Sequence, residues 1–243
     1  MQSLSVVIPA HNEEATVQGV VEEVFGIVRQ LAIDYEIILV NDGSTDGTGE
    51  IGQRLSERIP NLRLIEHFHC HHYGGSLKAG FAVATKELIA FVPADKQFVF
   101  SEIDRLLARL PVADIVSGYR ADRQDNFIRR LNSFGWNTVV RALFGYLCRD
   151  INCGFKLFRR EILEHVSLVS NGAPIDTELL AGAKAWGYRI AETEVTHLPR
   201  TAGKATGADF RVILGAFRDL LRFWLRLNGE LGKERRARTA IRN

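Results

Sequence analysis

The chain has 243 residues, 46% of them hydrophobic and 25% charged, with 21 glycines, 6 prolines and 3 cysteines. This is the composition of a folded globular protein, and it excludes a disordered tail, a collagen-like repeat and a disulfide-stapled miniprotein. The net charge of +2 hides a segregation: residues 200–243 hold 11 lysines and arginines against 4 acids, and residues 118–160 hold 9 against 3. The second half of the chain therefore favours anionic partners.

Leu4–Ile8 is a short apolar run closed by Pro9, the pattern of a buried strand. Over Glu13–Leu31, Val17, Val20, Val21, Val24, Val28 and Leu31 recur every three or four residues, which predicts a helix. Glu36–Val40 is a second strand, closed by the turn sequence NDGSTDG. A helix over Thr48–Arg58 and a strand over Asn61–Ile65 follow, then a helix over Ser76–Lys86 and a strand over Leu88–Val92. Ser101–Leu110 is amphipathic and Asp114–Ser117 begins another strand. Strands and helices alternate, as in βαβ units around a mostly parallel sheet. After residue 118 the rhythm changes. Phe127–Phe144 predicts a helix with a basic side, DINCGFKLFRRE follows as a Gly- and Cys-bearing segment, Asp176–Trp186 predicts a helix and Tyr188–Val195 a strand. Residues 1–207 read as one α/β domain and 208–243 as an amphipathic helix with a basic tail.

In that helix Phe210, Ile213, Leu214, Phe217, Leu220, Leu221, Trp224 and Leu225 form an apolar stripe, with Arg211, Arg218, Arg222 and Arg226 assigned to the opposite side. The pattern suits an anionic membrane surface, and equally a face packed on the domain or on a second subunit. The opening MQSLSVVIPAHNEE has no basic stretch followed by an apolar one, so no signal peptide is expected. No uncharged apolar run approaches the ~18–20 residues of a membrane span. With three cysteines, Cys70, Cys148 and Cys153, the expected location is a reducing cytoplasm.

Ligands of open parallel sheets sit at the carboxyl ends of the strands. That rule selects Pro9–Glu14, Asn41–Asp46, Pro93–Gln97 and Ser117–Arg120. The first offers a ledge of Pro9, Ala10, Glu13 and Glu14, and also reads as a capped helix start. In the second, Asp42 can accept the N–H groups of a nucleobase, while Asp46 can cap the next helix. HFHCHHYGGSLKAG gathers His67, His69, His71, His72 and Cys70 ahead of Gly74-Gly75 and Lys78. It reads as a polar loop, as a phosphate-facing His72 with Lys78, or as soft-metal ligands, although the spacing is too tight for a structural zinc.

In order and spacing, VVIPAHNEE, VNDGSTDGT, GGSLKAGF, PADKQF, SGYR, RRLNS, DINCGFKLFRRE and THLPRTAGKATG resemble glycosyltransferase family 2, in particular its polyprenyl-phosphate (dolichyl-phosphate mannose synthase-like) members. The resemblance covers residues 4–210 and implies a GT-A nucleotide-diphospho-sugar transferase fold. It implies an inverting enzyme that moves a sugar from a UDP- or GDP-sugar to a dolichyl or undecaprenyl phosphate. The enzyme would be peripheral on the cytoplasmic face of the membrane and held there by the C-terminal helix, with a membrane-spanning partner or a second copy of itself. No nucleic-acid partner is expected, because the basic stretches lack interleaved aromatic residues.

Carried onto this chain, the resemblance makes Pro9, Ala10, Glu13, Glu14, Asp42, Lys78, Asp95, Gln97 and Arg200 donor-binding residues. Asp95 and Gln97 become ligands of Mg²⁺ or Mn²⁺, Arg120 and Arg130 the arginines of the acceptor and donor phosphates, and Asp176 the position of a general base. Asp176 is needed as a base only for a hydroxyl acceptor and otherwise positions the sugar or caps its helix. Two departures stand out. Pro93 occupies the place of the first acid of the Asp-x-Asp-x-Gln metal motif, which weakens the metal site. Cys70 and His72 replace an Asn-x-Gly. The alternatives left open are a family 2 transferase with a hydroxyl acceptor and a catalytically impaired nucleotide-sugar-binding protein.

Overall fold

The computed structural model describes residues 3–31, 34–121, 127–200 and 210–242, of which 127–133, 210–214 and 233–242 are described in backbone only. Seven strands form one sheet: β1 (Leu4–Ala10), β2 (Tyr35–Asp42), β3 (Leu62–His67), β4 (Leu88–Phe91), β5 (Ile115–Arg120), β6 (Lys156–Arg159) and β7 (Ile190–Val195), in the order β3-β2-β1-β4-β6-β5-β7. β6 runs antiparallel to both its neighbours, and every other pairing is parallel. Six strands therefore end on the same edge, and β6 begins there.

Both faces of the sheet are covered, and so its central strands are continuously apolar. Leu4, Val6 and Ile8 pack beneath α1 (Val17–Gln30), α2 (Thr48–Arg58), a 3₁₀ turn (Phe100–Glu102) and α4 (Ile103–Leu107). Val7, Ile38 and Val40 face α3 (His72–Val83), α5 (Phe127–Phe144) and α7 (Pro174–Ala185), with the 33-residue α8 (Phe210–Arg242) outside them. A single turn, α6 (Ile162–His165), precedes α7.

Three elements differ from the sequence expectation. DINCGFKLFRRE contains β6, inserted between β4 and β5. Four residues are too few to show a period, and the fully buried Lys156 reads as a loop residue until its partner is known. The amphipathic Ser101–Leu110 splits into the 3₁₀ turn and the short α4, and α3 begins at His72 rather than Ser76.

A further correction concerns α8. Its apolar residues do not form one stripe. Leu220, Phe223 and Leu227 are buried on the domain, Phe217 packs on Trp136, and Trp224 donates Nε1–H to the Leu143 carbonyl at 3.2 Å. Leu221 and Leu225 remain exposed, beside the exposed Arg218 and Arg222. Arg226 does not share the arginines' side, because it reaches back to the Ser167 carbonyl at 2.6 Å. No helix among the described residues is long and apolar enough to cross a membrane.

The closest helix-on-sheet approach is α3 over β1. A Cβ on Gly80 would collide with Cγ1 of Val7. Gly80→Ala is therefore expected to cost about 1–3 kcal/mol through overpacking, read as a lower melting temperature in calorimetry. An unchanged melting temperature would mean that α3 shifts freely.

Candidate functional site

At the carboxyl edge the loops after β1 and β2 are tied together. Asn12, held in the left-handed region at φ 55°, accepts the Thr45 amide at 2.8 Å and donates its own amide to Ser44 Oγ. Glu14 accepts the Gly47 amide at 2.8 Å, and Thr48 Oγ1 accepts the Glu13 amide at 2.8 Å. Asp46 accepts the Thr48 amide at the start of α2. Glu14 is therefore a latch between the loops. Pro9 accepts the Ala94 amide through its carbonyl, and Ala10 lies buried beside it. Positive φ at a non-glycine residue costs energy, so its recurrence at Asn12, His72 and Lys96, all on this edge, marks a region held in shape by its surroundings.

Asp42 ends β2 and is 2% exposed. Oδ1 accepts from His67 Nδ1 at 2.7 Å and from the His71 amide at 2.9 Å, and Oδ2 faces the Cys70 thiol at 3.4 Å. Burial alone would raise the Asp42 pKa, but these donors outweigh it and hold the carboxyl below its ordinary value. The loop reaches Asp42 because Gly43, at φ +65°, has no side chain. A Cβ there would lie 2.7 Å from the His69 carbonyl carbon.

The PADKQF loop follows β4. The ring of Pro93 lies against Gly154 and contributes no charge. Asp95 Oδ1 accepts the Gln97 amide at 3.2 Å, and the Gln97 side-chain nitrogen is spent on His197 Nε2 and the Leu198 carbonyl, both at 3.3 Å. Lys96 lies over Gly19 of α1. Glu13 is buried next to this loop and paired with Arg200. Desolvation raises its pKa, opposed by Arg200 and reinforced by the Asp95 charge. Asp95, Glu13 and Arg200 thus meet where β1 and β4 end. A hard ion held by one carboxylate, with ligand phosphates and water completing its shell, suits this donor set. Asp95 is the carboxylate to hold it, and Gln97 can add its amide oxygen, since only the side-chain nitrogen is spent on His197 and Leu198.

Farther along the edge, Asp150 binds Arg120 at Nε (2.6 Å) and Nη2 (2.9 Å). The pair lines a cavity of about 420 Å³ with Tyr119, Ala121, Arg149 and Glu194. The Arg149 guanidinium lies 4.8 Å from the Tyr119 ring centre. Arg130 sits on α5, and its side chain is outside what the structure describes; Gly203 and Lys204 fall in 201–209, outside the described residues.

Beneath the edge Lys156 and Asp176 form a fully buried ion pair at 2.6 Å, and the Lys156 ammonium also reaches the Cys153 carbonyl. Burial raises the Asp176 pKa against the pull of Lys156. Asp176 therefore binds a lysine rather than capping α7, and Glu178 accepts the Val169 and Ser170 amides. Lys78, expected at the donor phosphates, is bound to the Val169 carbonyl (2.8 Å) and Asn171 Oδ1 (2.6 Å).

Sequence reasoning missed Lys156, Arg149 and Tyr73. The Tyr73 hydroxyl is buried with no hydrogen-bond partner among the described residues, within electrostatic reach of Asp176, Asp95 and Arg120. Burial raises its pKa, followed by repulsion from Asp176. No spacing rule singles out a tyrosine one residue into a helix.

Two outcomes follow from these charges. Lys156→Met leaves the Asp176 carboxyl buried without its cation and is expected to cost about 3–5 kcal/mol in denaturant unfolding. Adding Asp176→Leu should recover much of the loss, and a double variant no better than the single one would contradict the pairing. Asp42, with its lowered pKa, contributes stability that is present above the ordinary aspartate value of 3.8 and is lost as the pH falls below it. The stability gap between the native chain and Asp42→Asn should narrow on acidification through that range. A gap independent of pH would show that the donors do not favour the ionised form.

The profile of glycosyl transferase family 2 matches residues 5–167. The undecaprenyl-phosphate 4-deoxy-4-formamido-L-arabinose transferase of Aeromonas hydrophila subsp. hydrophila is 31% identical over 205 residues, covering 83% of this chain and 62% of that protein. The enzyme of the same name from Pectobacterium carotovorum subsp. carotovorum is 30% identical over 218 residues, covering 88% and 65%. The chain thus spans less than two thirds of the length of these two relatives. Among solved structures, glucosyl-3-phosphoglycerate synthase from Mycobacterium tuberculosis, in complex with Mn²⁺, UDP and glucosyl-3-phosphoglycerate, superposes with a TM-score of 0.67 at 18% identity, covering 94% of this chain and 80% of that one. Its Mg²⁺ and UDP complex gives 0.68 at 18% identity, with the same coverage. The fold is that of the GT-A transferases, and the chain belongs to glycosyl transferase family 2.

Proposed function

We propose that this chain is an inverting glycosyltransferase that moves a sugar from a nucleotide-sugar to a polyprenyl phosphate at a membrane surface. The observation that carries the reading is the meeting of Asp95, Glu13 and Arg200 at the ends of β1 and β4, beside the arginine-lined cavity at the end of β5. The relatives named for transfer to undecaprenyl phosphate support the choice of acceptor.

In this reading the nucleobase lies against Asp42. Its N–H would take Oδ2, which is held by a thiol at 3.4 Å and is the more weakly bound of the two oxygens. Pro9, Ala10 and the Glu13–Arg200 pair line the diphosphate path. A Mg²⁺ or Mn²⁺ ion at Asp95 would neutralise charge on the departing diphosphate. Arg120, oriented by Asp150, and Arg149 receive the acceptor phosphate, with Arg130 carried nearby on α5.

A phosphate monoester is already an anion at neutral pH and needs no base. One of its oxygens attacks the anomeric carbon from the face opposite the nucleotide. The new carbon–oxygen bond forms as the bond to the nucleoside diphosphate breaks, and the configuration inverts. The burial of Asp176 against Lys156 favours this acceptor over a hydroxyl, which would need an accessible base. Asp176 then positions Lys156 and the loop around Cys153. The exposed Leu221 and Leu225, flanked by Arg218 and Arg222, supply a face for an anionic leaflet, which supports a peripheral place on the cytoplasmic side.

The test is transfer from UDP- and GDP-sugars to undecaprenyl phosphate in anionic vesicles with Mn²⁺. The native chain should form a lipid-linked sugar. Asp95→Ala should lose at least about a hundredfold in kcat with its circular dichroism unchanged. Full transfer by that variant, or transfer to hydroxyl acceptors alone, would reject the assignment.

A further inference from the structure

The fold gathers a second set of metal-ligating side chains, apart from Asp95 and built around Asp42. One ligand atom from each of His11, Asp42 and Cys70 lies within 4.8 Å of the other two. These residues come from the loop after β1, the end of β2 and the loop after β3, so the contiguous cluster in the sequence, His67 to His72, is not itself the site. The His72 Nδ1 lies outside that mutual set but 3.7 Å from Cys70 Sγ, within reach of the same ion.

We infer that His11, Asp42, Cys70 and His72 form a binding site for a thiophilic divalent cation of the Zn²⁺ class. The separations are those of such an ion. Zinc–sulfur bonds of about 2.3 Å and zinc–nitrogen or zinc–oxygen bonds of about 2.0–2.2 Å, at tetrahedral angles, place neighbouring donors about 3.5 Å apart. Cys70 Sγ stands 3.4 Å from Asp42 Oδ2 and 3.7 Å from His72 Nδ1.

The surroundings are arranged as supports for these ligands. The His11 Nδ1 lies 2.8 Å from the Asp42 carbonyl oxygen and donates to it, so the lone pair of the ring is on Nε2. Asp42 Oδ1 is tied to His67 and to the His71 amide, which aims Oδ2 at the thiol. His72 is held at φ 63°, a costly conformation that turns it toward Cys70. A mixed nitrogen, sulfur and single-oxygen set selects zinc or cobalt over Mg²⁺ and Mn²⁺, so the site differs in kind from Asp95. Binding releases the thiol proton, and the cation takes its place between sulfur and carboxylate.

Occupation has a consequence for the donor site, and this consequence, unlike the site itself, rests on the assignment of the nucleobase to Asp42. The ion and the base need the same carboxylate oxygen, so they compete.

The test is titration of the reduced, chelator-treated full chain with Co²⁺ alone, followed in the near ultraviolet. A saturable thiolate-to-cobalt band at one equivalent is expected, displaced by Zn²⁺. Cys70→Ser should abolish the band, and His11→Gln should weaken Co²⁺ binding at least about tenfold. Cys148→Ser should keep it, because Cys148 and Cys153 are buried with thiol pKa values pushed up to about 12. No band in the native chain, or a band that survives in Cys70→Ser, overturns the site. UDP and GDP are then titrated into metal-free and cobalt-loaded protein, with at least tenfold weaker binding expected in the loaded form. Equal affinity in the two forms overturns the competition. If neither form binds nucleotide while the cobalt band is present, the metal site stands and the nucleobase assignment of Asp42 fails.

Discussion

A parallel sheet covered by helices on both faces leaves its carboxyl edge as the place where polar chemistry can gather. Here six strands end on that edge, and β6, reversed, begins on it. Backbone groups at strand ends must still be satisfied, and the chain does this by tying neighbouring loops to one another rather than capping each alone. Asn12 to Thr45, Glu14 to Gly47 and Gln97 to Leu198 are all ties of this kind. The loops are held still by each other, which lets three non-glycine residues on the edge adopt positive φ.

The charges obey the same economy. Three deeply placed ions have named counter-ions, Lys156 with Asp176, Arg120 with Asp150 and Glu13 with Arg200, while the buried Glu178 is held by the Val169 and Ser170 amides. The first pair is fully buried and its worth lies in not being broken, since either partner alone would be a desolvated charge. The other two lie close to the cleft, where a phosphate can compete for the arginine. In the proposed function, a diphosphate entering between Glu13 and Arg200 would exchange one anion for another instead of meeting an unshielded cation.

The two departures from the family pattern fall at opposite ends of the donor cleft. Pro93 replaces an acid with an apolar ring seated on Gly154, leaving Asp95 as the carboxylate of its loop. At the other end, Cys70 and His72 stand where small and amide residues are usual, and they add sulfur and nitrogen donors around Asp42.

The sequence alone carried much of this architecture. Apolar runs ending in Pro9 and Asp42, and valines at helical spacing over 17–28, are local signals, and the elements stand where those signals place them. The strand-end rule likewise led to Asp42, Asp95 and Arg120 before any coordinates. Four facts needed the tertiary structure. β6 is four residues long and owes its place to its neighbours. Lys156 is inside because Asp176, 20 positions later, is inside too. The apolar residues of α8 divide between the domain and the outside according to what lies beneath them, and helical periodicity cannot report that. The donors around Asp42, itself the end of β2, come from the loop after β1 and from the end of β3 and beyond, so their separation in the chain conceals their separation in space. Local pattern determines which segments become strands and helices; long-range packing decides which polar side chains share a site, because only the folded chain sets the distances between them.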